Sequence, residues 1–94
     1  MILGWTAGAL ADLGEIEAYQ RLHWPKARAS FEARLTAIEQ QIRDYPNAAP
    51  EVEQRPGVRV VAFVNFPYRL FYQIEKDGVA ILALRHTSRR SLFE

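Results

Sequence analysis

Between Pro25 and Pro46 the apolar residues Ala27, Phe31, Leu35, Ile38, Ile42 and Tyr45 step by 4, 4, 3, 4 and 3 positions, and no other feature of the chain constrains its fold as tightly. Steps of three and four keep side chains on one side of an α-helix, so this stretch is expected to be a single amphipathic helix with one buried stripe. Pro25 suits the first helical position, where its missing N–H costs nothing, and Pro46 cannot continue the helix. Arg28, Glu32, Arg34, Glu39 and Arg43 fall between the apolar positions and are expected on a solvated face.

A second helix is expected just before it. Ile2 to Trp5 reads as a short strand, and the Thr6 hydroxyl is suited to cap the helix that follows. From Ala7 to about Leu22 the residues Leu10, Leu13, Ile16 and Tyr19 recur at every third position, which suggests one buried stripe with Asp12, Glu15 and Glu17 outside it. His23-Trp24-Pro25 ends this helix, because a residue before proline is pushed out of the α region. Trp5 and Trp24 are expected to pack in the core or at the helical hairpin.

The remainder reads as strands. Asn47 to Gly57 contains three prolines within or beside it, counting Pro46, and is expected to be a crossing loop; Val58 to Val64, Tyr68 to Glu75 and Val79 to His86 are expected strands. Asn65-Phe66-Pro67 marks one turn and Asp77-Gly78 a tight hairpin. The fold class is therefore α+β: an N-terminal strand, a helical hairpin, then antiparallel strands, with both helices on one face of a small sheet and the other face left free for function.

Ninety-four residues suffice for one domain, taken as residues 1–94. With no cysteine there is neither a disulfide framework nor a thiolate metal site, and two distant histidines do not make one either. The five glycines are dispersed and form no phosphate loop. The first basic residue is Arg21, and the longest apolar run, Val79 to Leu84, is too short to span a bilayer; a cytoplasmic protein with no membrane association is expected. The net charge of +1 conceals an asymmetry. Residues 1–54 carry five basic and eight acidic side chains, or −3, whereas residues 55–94 carry seven and three, or +4. An anionic or acidic partner would meet the second half.

If Asp77 and Gly78 form a two-residue turn, Lys76 lies opposite Val79, Leu70 opposite Arg85 and Arg69 opposite His86; a three-residue loop would shift that pairing by one. An arginine beside a histidine can hold phosphate oxygens and move a proton, although a surface arginine and a structural histidine are the plainer readings. Arg89 and Arg90, next to Thr87 and Ser88, form a basic tail suited to phosphate or to acidic side chains, or simply to solvation.

Trp5-Thr6 with Ala9-Leu10-Ala11-Asp12-Leu13, Pro50-Glu51, Arg55-Pro56-Gly57-Val58-Arg59, Pro67-Tyr68-Arg69-Leu70-Phe71-Tyr72 and Leu84-Arg85-His86-Thr87-Ser88-Arg89 together resemble, in order, the segments of RelE/ParE toxins, bacterial toxins of type II toxin–antitoxin systems. The resemblance implies a toxin neutralised by a cognate antitoxin, with a toxin–antitoxin hetero-oligomer as the form expected, and no cofactor. In the ParE branch the target would be DNA gyrase, poisoned without catalysis. In the RelE branch it would be messenger RNA on the ribosome, with Glu51, Arg69 and His86 at the matching catalytic positions. Arg59, Arg85, Arg89 and Arg90 are the candidate target- or phosphate-binding residues. The chain departs from the RelE pattern in having only Lys26 and Lys76 and no tyrosine after Tyr72. A near-neutral charge and the arginine-proline-glycine approach favour the ParE-like branch; a module that binds an antitoxin but is inactive is the third reading.

Overall fold

The computed structural model of the chain describes residues 2–88, which form β1 (Ile2–Trp5), α1 (Ala7–His23), a single 3-10 turn (Pro25–Ala27), α2 (Arg28–Asp44), β2 (Glu51–Val52), β3 (Arg55–Ala62), β4 (Tyr68–Glu75) and β5 (Gly78–His86). The sheet order is β1-β5-β4-β3-β2, with β1 parallel to β5 and every other neighbour antiparallel. This is the expected α+β arrangement, with one addition: the loop after α2 contributes the two-residue edge strand β2, and β3 starts at Arg55.

The α2 stripe packs as its spacing dictates. Phe31, Leu35, Ile38 and Ile42 are buried against Tyr68, Leu70 and Tyr72 of β4, and the Phe31 ring stacks on Phe63 with centroids 5.2 Å apart. Tyr45 falls just beyond the helix end and is 68% exposed. The charged residues of α2 are less uniformly solvated than their pattern suggests. Arg28 reaches Glu17, Glu32 and the buried Gln20, and Glu39 accepts the indole N–H of Trp5 at 3.0 Å.

The α1 helix departs further from expectation. Its buried residues are Ala9 and Gln20, while Leu10 and Tyr19 remain about half exposed. A step of three residues turns about 300°, so four residues spaced by three sweep half the helix circumference and cannot share one buried stripe. Residues 12, 15, 16 and 19, at i, i+3, i+4 and i+7, do share a face, so Asp12 and Glu15 stand in line with Ile16 and Tyr19.

The last hairpin also departs from the expected register. Its turn is Lys76-Asp77, with Glu75 opposite Gly78. Gly78 lies within the strand because a Cβ there would overlap the carbonyl oxygen of Ile2; the glycine admits β1 alongside β5 rather than making the turn. A β-bulge then skips Leu82: Tyr72 pairs with Ile81, but Phe71 pairs with Ala83. Beyond the bulge every side chain of β5 changes face. Arg69 consequently lies opposite Arg85, and His86 opposite Tyr68, so the expected Arg69–His86 pair does not form.

The face away from the helices is not bare. Val52, Val58, Phe71 and Ala83 form a second buried cluster there, with Phe71 only 3% exposed. Among the described residues no helix is long and apolar enough to cross a membrane.

Candidate functional site

The end of β5 is built by the start of the chain. β1 stops pairing at Trp5, opposite Ile81, and the Thr6 N–H then bonds the Ile81 carbonyl at 3.0 Å. The Thr6 hydroxyl accepts the Ala9 N–H at 3.1 Å, capping α1, and lies 3.4 Å from the carbonyl of the bulged Leu82. Past this point, among the described residues, β5 has no strand on that side, and its free backbone donor needs a partner. Asp12 supplies one: its carboxylate accepts the Leu84 N–H at 3.0 Å and also pairs with the Arg85 guanidinium.

Around this junction lies a cleft of about 450 Å³, lined on the α1 side by Asp12, Glu15, Ile16 and Tyr19 and on the sheet side by Tyr68, Leu84, Arg85 and His86, and also by Trp24 and Ser88. Tyr68 is almost wholly buried, and its ring meets the His86 ring edge-on at 5.6 Å. Burial holds the Tyr68 phenol above the ordinary tyrosine pKa; the polar Gln20 side chain pulls the other way, and neighbouring Tyr19 adds to the rise. The His86 Nδ1 accepts the Ser88 N–H at 3.1 Å and lies 2.7 Å from the Ser88 hydroxyl, so a neutral His86 carries its proton on Nε2. Tyr19 and Trp24 meet edge to face at 5.4 Å, both still partly exposed.

The residues singled out from sequence are dispersed. Glu51 lies on the edge strand β2, 3.5 Å from Arg59. Arg59 is committed within the chain, donating to the carbonyls of Asn47 at 3.0 Å and Ala49 at 2.6 Å and so pinning the loop that leaves α2. Arg69, between the buried Tyr68 and Leu70, points to the face away from the helices and is exposed, whereas His86 shares the helix-side face with Tyr68. Arg85 is held by Asp12, and Arg89 and Arg90 lie outside the described residues. Among the described residues of this set, only Arg85 and His86 line the cleft.

Sequence reasoning missed Asp12, Glu15, Tyr19, Trp24 and Tyr68 as site residues. The i, i+3, i+4, i+7 spacing of residues 12, 15, 16 and 19 was the available signal on α1. Nothing local marks Tyr68, which reaches the cleft only through the register of β4 and β5.

The fold and this chain's sequence both have relatives. Residues 3–91 match the family described as ParE toxin of type II toxin–antitoxin system, parDE. The protein Y4kP of Sinorhizobium fredii is 32% identical over 90 residues, covering 92% of this chain and 88% of Y4kP. A chain of the chromosomal ParDE toxin–antitoxin system from P. aeruginosa superposes with a TM-score of 0.75 at 24% identity, covering 92% of this chain and 95% of its own, and shares the fold. A helical hairpin on a mixed five-stranded sheet, with a family match running nearly from end to end, makes this chain a member of the ParE family of toxins of type II toxin–antitoxin systems.

Proposed function

We propose that the protein, acting as one domain in the cytoplasm, arrests growth by binding DNA gyrase rather than by cutting RNA, and that a cognate antitoxin neutralises it in a hetero-oligomeric complex. The observation that carries this reading is the dispersal of Glu51, Arg69 and His86 over both faces and three strands of the sheet. Cleavage by 2'-hydroxyl attack needs a base, an acid and a cation converging within hydrogen-bond reach, roughly 3 Å, of one phosphate. Glu51 is engaged with Arg59 and His86 with Ser88, and Arg69 lies on the other face from His86. A toxin that works by docking needs no such convergence. Membership of the ParE family supports the same target class.

The test is a supercoiling assay with purified gyrase run beside a ribosome-dependent messenger cleavage assay. Inhibition of supercoiling without cleavage is expected. Messenger cleavage that His86→Ala abolishes would overturn the reading in favour of the nuclease, and the absence of growth arrest on induction would leave an inactive antitoxin-binding module.

A further inference from the structure

We propose that the cleft between α1 and the end of β5 receives one basic side chain, lysine or arginine, of the antitoxin; this rests on the reading that an antitoxin binds the chain. The charges of the cleft favour a cation. Among the described residues it is lined by two carboxylates, Asp12 and Glu15, and one permanent cation, Arg85. Asp12 and Arg85 neutralise each other, which leaves Glu15 exposed and without an ion-pair partner among the described residues. An anionic group entering here would meet the uncompensated Glu15 and find the Arg85 guanidinium already taken. A purely apolar group would bring no partner for that carboxylate.

The walls favour the same occupant. Tyr19, Trp24, Tyr68 and His86 bring four aromatic rings to one small cleft, and tyrosine and tryptophan rings attract a cation through their electron-rich faces. The long aliphatic stem of lysine or arginine would meanwhile cover the partly exposed Ile16. A resident partner also suits the rim. Tyr19 and Trp24 are 49% and 42% exposed, and Leu22 between them in sequence is 77% exposed, an aromatic and aliphatic surface of the kind a stably bound protein covers. The antitoxin is the partner that remains bound to a neutralised toxin.

Two experiments separate this inference from the reading beneath it. In the first, N-acetyl-arginine amide, N-acetyl-norleucine amide and N-acetyl-glutamate amide are titrated against the protein, with the two indole N–H signals and the tyrosine ring signals followed by NMR. The arginine probe should shift the Trp24 and Tyr19 signals saturably, and Glu15→Gln, an exposed and isosteric change, should weaken it about fivefold. Equal response to norleucine, preference for the glutamate probe, or no response to any probe would each overturn the proposal. In the second, the cognate antitoxin is titrated onto the unaltered protein and onto Glu15→Lys by calorimetry. Weaker binding to Glu15→Lys is expected. Equal binding to both would sink the basic anchor while leaving the antitoxin reading intact, and no binding to the unaltered protein would sink both.

Discussion

Asp12 of α1 accepts the backbone N–H of Leu84 in β5 at 3.0 Å, just past the point where β1 stops pairing with that strand. The side chain replaces the strand neighbour that β5 lacks there, and the same carboxylate neutralises Arg85. Replacing Asp12 by alanine would leave a partly buried donor unpaired and the Arg85 guanidinium with no carboxylate, only the Leu84 carbonyl at 3.1 Å. The expected loss is about 1–3 kcal/mol, read as a lower urea midpoint with an unchanged slope. Asp12→Asn, which keeps an acceptor for the amide but not the charge, should lose less than Asp12→Ala.

Gly78→Ala should loosen β1 specifically. The added methyl would overlap the Ile2 carbonyl, and backbone atoms cannot move aside as a flexible side chain does. A cost of about 1–3 kcal/mol is expected. Amide exchange of residues 2–5 should accelerate more than that of β3 and β4; uniform acceleration throughout the sheet would contradict the local origin.

Arg28 donates to the buried Gln20 Oε1 at 3.2 Å and pairs with Glu17 and Glu32, so it ties the end of α1 to the start of α2. Gln20 has no exposed surface, and its Nε2 already has no hydrogen-bond partner among the described residues. Arg28→Ala would strand the other end of the amide as well. It should lower stability by about 1–3 kcal/mol, whereas Arg34→Ala, a control on the same helix, should change it far less. Thermal or urea unfolding of the two variants makes the comparison.

The tyrosines set an alkaline limit. Burial raises the phenols of Tyr68 and Tyr72 above the ordinary tyrosine pKa, Gln20 partly offsetting the first and the Arg59 charge the second. A group whose folded pKa lies above its unfolded value stabilises the fold fully below the unfolded pKa, and that contribution is lost as pH rises through the folded pKa. Stability should therefore be insensitive to these groups near neutrality and decline above pH about 10. Phe at both positions should flatten the decline, measured by urea unfolding across the alkaline range. Tyr72→Phe also removes the 2.6 Å bond to the Pro46 carbonyl and should cost about 1 kcal/mol at neutral pH.

The elements of the fold were legible in the chain because each rests on local rules. Pro25 and Pro46 bracket α2, the 3.6-residue period marks its buried side, Thr6 caps α1, and β-branched and aromatic runs give β3 to β5. The ordered motifs from Trp5 to Arg89 were likewise enough to indicate the family. What local rules could not supply was the pairing of distant residues. Asp77-Gly78 reads as a turn in any short window, yet the glycine is required one residue later than that turn, by the carbonyl of Ile2 at the far end of the chain. The bulge at Leu82 then reverses the faces of the residues from Ala83 to His86, because side chains alternate and one skipped residue inverts every assignment beyond it. Sequence alone therefore determined the helices, the strands other than the short edge strand β2, and the family they belong to. Only the tertiary structure decided that Arg69 meets Arg85, that His86 meets Tyr68, and that Asp12 closes the edge of β5, since each depends on a long-range register with no signature in neighbouring residues.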